Sequence, residues 1–158
     1  MIHGTYGSNI ESYLSLLESQ INDNVATTNL RYLFKCTNDM TKDVKYAYGT
    51  ILEINDRFVR QRLTHNTTDA VLTGNINFKP FGFWTYEVYE VSWVGTVDLS
   101  SGKAPTTETE VLSPAANDKG VVQGLVHRGK IKIQETVGSE QIQYTQHTAT
   151  ETNYLYTD

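Results

Sequence analysis

One cysteine, Cys36, is all the chain carries, so no disulfide can form within it. Histidines are equally sparse. His3, His65, His127 and His147 lie scattered, with no H-x-x-x-H or Cys-x-x-Cys spacing, so neither a metal site nor a cofactor is expected. Glycine-rich phosphate loops followed by a helix, Walker patterns and Gly-x-Ser-x-Gly elbows are all missing. With no nucleophile or acid–base constellation in view, no catalytic residue is assigned and enzymatic activity is not expected. No apolar run approaches the roughly 18–20 residues that span a bilayer, so no membrane partner is expected. The opening Met1-Ile2-His3-Gly4-Thr5-Tyr6 lacks a charged and then apolar signal segment, which suggests a soluble protein made in a reducing cytoplasm. A net charge of -5 offers nothing general to a phosphate backbone, which argues against a nucleic-acid partner.

What the chain does have is aromatic mass: ten tyrosines, five phenylalanines and two tryptophans in 158 residues, enough for one domain with its own core. The densest stretch runs from Pro80 to Val94. Pro80 and Gly82 punctuate its entry, and Trp84, Tyr86, Val88, Tyr89, Val91, Trp93 and Val94 suit a pleated, half-buried surface. Trp84, Tyr86 and Val88 share one parity; Tyr89, Val91 and Trp93 share the other. Either both faces of this strand are covered, by core or by a neighbouring subunit, or a bulge near Val88 and Tyr89 shifts the register. Glu87 and Glu90 fall on opposite faces and cannot act as a carboxylate pair without a bulge. Glu87 is expected to face solvent or a cross-strand cation, and Glu90 marks where the buried face changes.

Around that strand, residues 1–9 read as an extended N-terminal arm, small and polar at a terminus, whose removal should spare folding. Residues 10–22 are ambiguous. Ile10, Leu14, Leu17 and Ile21 lie at helical spacing, with Ser8 and Glu11 placed for a capping box. A strand would instead put Tyr13, Ser15 and Leu17 opposite Leu14 and Leu16. Leu30–Thr37 and Val44–Tyr48 alternate as strands around the polar Asn38–Asp43 turn and suggest a hairpin. Cys36 reads as a core residue there. Arg57–Leu63 is a further strand with mixed faces, hence expected near an edge. Its Arg57, Arg60 and Arg62 are the only basic cluster, guarding an edge or meeting an acidic partner. Gly95–Gly120 is a long polar stretch of the kind that is functional or flexible. Gly124–Ile133 and Gln141–Gln146 alternate again, and Asn153-Tyr154-Leu155-Tyr156 is a short aromatic motif.

Seven to eight short strands with polar turns predict an all-β fold, a β-sandwich of immunoglobulin-like or jelly-roll-like type, with a barrel as alternative. The expected division is an arm over 1–9, a sandwich over 10–147 and a tail over 148–158. Interface candidates are Tyr6 in the arm, Tyr89 and Trp93 on the second face of the aromatic strand, Arg60 and Arg62 in the basic cluster, and Tyr154 and Tyr156 in the tail. Exposed aromatics would also suit stacking on a glycan.

Four motifs in order, Tyr32-Leu33-Phe34-Lys35-Cys36-Thr37-Asn38-Asp39, Asp56-Arg57-Phe58, Phe81–Glu90 (FGFWTYEVYE) and Gly124–Ile131 (GLVHRGKI), resemble a family of small tailed-bacteriophage proteins with the pattern YLFxFTND … DRF … PxGFWxYEVYE … GxxExGKxxV. The likeness spans roughly residues 10–135. It departs at Cys36, where an aromatic is common, and at His127, where an acid is common. It favours a strand over residues 12–18. It implies a non-enzymatic virion structural protein, assembled in the host cytoplasm and contacting a major capsid protein or neck and tail proteins, with self-association also open. Capsid decoration is the first expectation and a neck or tail component the second; a glycan-binding adhesion module is the alternative of another class.

Overall fold

The computed structural model describes residues 1–112 and 118–136, and these fold as a β-sandwich. Nine strands occur among the described residues: β1 (Ile2–Thr5), β2 (Ile10–Leu14), β3 (Leu30–Asn38), β4 (Val44–Tyr48), β5 (Thr50–Ile54), β6 (Val59–His65), β7 (Asn75–Ile76), β8 (Gly82–Ser92) and β9 (Val121–Gln134). One sheet has the order β1-β9-β8-β3-β4. The other runs β2-β6-β5, with β7 pairing the end of β6. Among the described residues, helix is confined to single 3-10 turns at Leu17–Ser19, Thr27–Asn29 and Val71–Thr73. The strand expected over 141–146 and the tail over 148–158 lie outside the described residues.

The β3–β4 hairpin forms as its alternation requires. Asn38 closes the turn: its side-chain Oδ1 accepts the backbone N–H groups of Met40 and Thr41, both at 2.9 Å. β4 then runs almost directly into β5. At Gly49 the chain leaves the first sheet and enters the second, so one extended segment edges both. Only glycine fits this corner: a Cβ there would lie 2.7 Å from Cε2 of Phe34 and collide with the Gln61 side chain.

Between the sheets lies the main core, with Phe34, Leu16, Val59, Ile76, Trp84, Val88 and Ile131 fully buried. A second cluster, Leu33, Tyr48, Val91, Trp93 and Ala104, covers the opposite face of the five-stranded sheet. β8 is therefore buried on both sides. Its register with β3 runs without interruption from Asn38↔Trp84 to Leu30↔Ser92. The irregularity near Val88 and Tyr89 belongs to β9: Val88 pairs His127 but Tyr89 pairs Leu125, and Glu90 pairs Gly124 but Val91 pairs Val122. The surplus residues, Val126 and Gln123, bulge from β9. Alternation along β8 thus never switches, and the two aromatic parities are simply its two covered faces.

Glu90 consequently points into the sandwich side. It is 0 % exposed, and its carboxylate accepts the backbone N–H groups of Ile21 (2.9 Å) and Asn22 (3.1 Å). These bonds tie the irregular segment after β2 to the central strand. Glu87, on the other face, meets Arg128 at 2.9 Å and Lys35 at 3.7 Å.

Two expectations change and one open choice is decided. Residues 1–9 are not a free arm, because Ile2–Thr5 pairs in parallel with Ile131–Gln134 and Ile2 packs on the core. Residues 10–14 are a strand, since Ile10, Ser12 and Leu14 are buried while Glu11 and Tyr13 are exposed. β6 is not an edge but the middle of its sheet. Val59, Gln61 and Leu63 face the core, and Arg60 and Arg62 both point outward.

Trp84→Ala should cost about 3–5 kcal/mol, the usual loss for a buried aromatic, read as a lowered midpoint in urea. Deleting residues 1–5 should also lower the midpoint, because it strips the neighbour from β9 and uncovers Ile10 and Ile133. An unchanged midpoint would show that β1 adds nothing to the fold.

Candidate interaction surface

The outward side chains of β6 and its neighbours build one continuous ridge. Tyr13 on β2 stands directly across from Arg60 on β6, which in turn stands across from Glu53 on β5. Tyr13 is 60 % exposed. Its ring meets Phe58 edge-on at 5.3 Å, and the Arg60 guanidinium lies 5.8 Å from its centroid. Glu11 accepts from Arg60 Nε at 3.0 Å and from Nη2 at 2.5 Å, fixing the guanidinium and keeping its charge firm. Arg62 extends the row, and its shielded Nε has no hydrogen-bond partner among the described residues. Tyrosine and arginine side by side on an exposed, rigid strand surface are the residues that dominate protein–protein contacts.

The structure distributes the other interface candidates differently. Trp93 is fully buried in a cluster with Val97, Leu99 and Ala104 and is no surface residue; Gly120 lies against its ring so closely that a Cβ would come within 2.6 Å of Cζ2. Tyr89 is half-buried beside that cover, its hydroxyl donating to Glu87 at 3.3 Å. Tyr6 works inside the molecule: it packs edge-on against His65 (4.6 Å) and Phe81 (5.0 Å), with Lys79 Nζ 5.0 Å from its centroid. Tyr154 and Tyr156 lie outside the described residues. Arg60 and Arg62 do come together. Tyr13 and Phe58 complete their ridge and were missed as candidates; the alternation Glu11-Tyr13-Ser15 against Ile10-Ser12-Leu14 was the available signal.

The described part of the Gly95–Gly120 stretch is a cover latched to the sheet rather than a loose loop. Glu108 reaches back to β3 and β4, accepting from Lys35 Nζ and Tyr46 Oη, each at 2.5 Å. Tyr48 Oη donates to the Pro105 carbonyl at 2.6 Å, and Glu110 accepts the Thr106 N–H at 2.5 Å. Burial works to raise the Glu108 pKa, but the bonds from Lys35 and Tyr46 more than offset it and hold the carboxyl below its ordinary value. The same contact raises Lys35, and burial with the Glu108 bond pushes Tyr46 up to about 12. Cys36 is fully buried, and desolvation lifts its thiol to about 12, as suits a core residue. Among the described residues no three His, Cys, Asp or Glu side chains group as metal ligands would, and no helix is long and apolar enough to cross a membrane.

Compared with protein-family models, with curated proteins and with solved structures, the chain matches none.

The Glu108 latch has a defined pH window. A carboxyl lowered on folding stabilises above its ordinary 4.5 and loses that contribution as pH falls through the folded value; a lysine raised on folding stabilises below its ordinary 10.5 and loses it as pH rises through the folded value. The cover should therefore stay closed between these limits and loosen outside them. Glu108→Ala should speed amide exchange at Gly120 and Ala104 at neutral pH, by about 1–3 kcal/mol of local opening, and flatten the acid limb. Unchanged exchange would rule out the latch.

Proposed function

We propose that this chain is a non-enzymatic structural component of a tailed-bacteriophage virion, bound to the capsid surface through protein–protein contacts. The phage setting rests on the four ordered motifs, which supply most of β3, β8 and β9 and the approach to β6. The observation that carries the mode of action is the Tyr13–Arg60 ridge. It is a sheet surface with a large aromatic body exposed and a guanidinium already held by Glu11, so little side-chain freedom is lost when a partner closes over it. In this reading the sandwich is a preformed block, and the five-stranded sheet backs the one that carries the ridge while neighbours pack against it. A place at the neck or tail would use the same contacts.

A second reading, a glycan-binding module on the particle, draws on the same exposed ring, since Tyr13 offers a stacking face. A glycan array with assembled particles separates the two; binding lost in Tyr13→Ala would favour this second reading.

For the first, the chain should be found in purified virions at a fixed copy number. The double variant Tyr13→Ala/Arg60→Ala should keep its melting temperature, because both side chains lie on the outer surface, and should enter particles about tenfold less well. Absence of the wild-type chain from particles would remove the proposal.

A further inference from the structure

About half of the basic side chains are paired and Arg31 is among those that are not. Lys35, Lys45, Arg60, Lys103, Arg128 and Lys130 each pair with a carboxylate. Arg31 pairs with none among the described residues, in a chain whose acids outnumber its bases by 18 to 13. Nor is it a free surface arginine. It is half-buried, and desolvation pulls its pKa down without any charged neighbour restoring it. Its Nη1 donates to the carbonyls of Leu30 (2.6 Å) and Thr28 (3.1 Å), which fixes the head group, and its Nε and Nη2 meet no partner among the described residues.

The corner at Gly49 creates the space beside it. β4 pairs with β3 only as far as Leu33↔Tyr48, and the chain then turns into the second sheet. The first residues of β3 are left without a strand on that side. The result is a cavity of about 420 Å³ in which Arg31 is the only charged side chain among the described residues that line it. Ile51 and Ile54 of β5, Leu72 after β6, Leu99 of the cover and Tyr48 form apolar walls, and Thr28, Thr50 and Thr73 add hydroxyls. A cavity of this size, mostly apolar with few polar groups, is within the roughly 300–1,000 Å³ typical of small-ligand sites.

We propose that this corner cavity is a binding site for a carboxylate joined to an apolar body, the carboxylate held by Arg31 and the body lying against Ile51, Ile54 and Leu72. The planar guanidinium matches a carboxylate in two parallel hydrogen bonds. A single cation balances a monoanion; a phosphate dianion would leave charge uncompensated against apolar walls. The ligand is either a free small acid or an acidic side chain flanked by apolar residues on another polypeptide. Both share this chemistry. The site lies apart from the Tyr13–Arg60 ridge and does not depend on a virion role.

The test is an amide-resolved NMR titration of the whole chain with three probes: sodium hexanoate, 1-hexanol and N-acetyl-Val-Glu-Val-amide. Hexanoate should give saturable shifts at Arg31, Gly49, Ile51 and Thr73 and bind at least about tenfold tighter than hexanol, the factor a charge-assisted hydrogen bond supplies. Arg31→Gln should erase that preference. Thr73→Glu, at an exposed position on the rim, should do the same by giving Arg31 an internal partner. Agreement of each variant's spectrum with that of the wild type away from the corner serves as the folding control. Tighter binding of the peptide than of hexanoate would assign the site to an acidic segment of another chain; the reverse would assign it to a free acid. Equal affinity for hexanol and hexanoate, undiminished hexanoate binding in Arg31→Gln, or no saturable shift with either carboxylate would overturn the proposal.

Discussion

Everything in this molecule answers to the burial of β8 on both faces. A strand with Trp84, Tyr86 and Val88 on one side and Val91 and Trp93 on the other cannot leave either side in water. One face is covered by the second sheet. The other is covered by the stretch after β8, which folds back to seat Ala104 on Trp93 and Tyr48. Two of the carboxylates trapped in this arrangement are met locally. Glu90 is occupied by two backbone N–H groups, and Glu108 by an ammonium and a phenol. Each such contact also fixes a segment with no regular structure, so the irregular parts of the chain are placed by the charges the central strand buries.

The strands that alternate cleanly were readable from the sequence. β3, β4 and the latter part of β9 fall where period-two patterning puts them, and the Asn38 turn follows from residue chemistry. The two-sided burial of β8 was visible in its two aromatic parities, but the choice between double cover and bulge was not. The bulges lie on β9, where Gly124 and mixed small residues hide them, while β8 keeps its register. β1 was illegible for a different reason: Ile2-His3-Gly4-Thr5 is weakly strand-forming by itself and gains its structure from a partner about 130 residues away. Trp93 was misjudged as a surface residue because its cover is a polar-looking stretch whose few apolar side chains, Val97, Leu99 and Ala104, follow no period.

The candidate surface was half legible. Arg60 and Arg62 stood out as basic residues, but their mixed-face strand suggested an edge, whereas β6 is central and carries its arginines outward in a row. Tyr13 and Phe58 join them only through the pairing of β2 with β6, a long-range fact that no local pattern contains. The Arg31 cavity was not legible at all. It arises from the mismatch between where β4 stops pairing and where β3 begins, and from a glycine that lets the strand change sheets.

The parallel pairing of β1 with β9 bears on how the chain is made. Residues 2–5 find their partner only when residues 131–134 have emerged, so the five-stranded sheet cannot be completed while the residues between them are being made. Until then β9's place beside β8 is empty and the aromatic strand has one open flank, the kind of edge that pairs wrongly with other nascent chains. With such distant partners the last closing step is slow relative to hairpin formation, because chain-closure entropy must be overcome before the contact forms. Crowded synthesis of many copies at once is thus when this protein is most exposed to error, and slowing translation before β9 would lengthen that exposure.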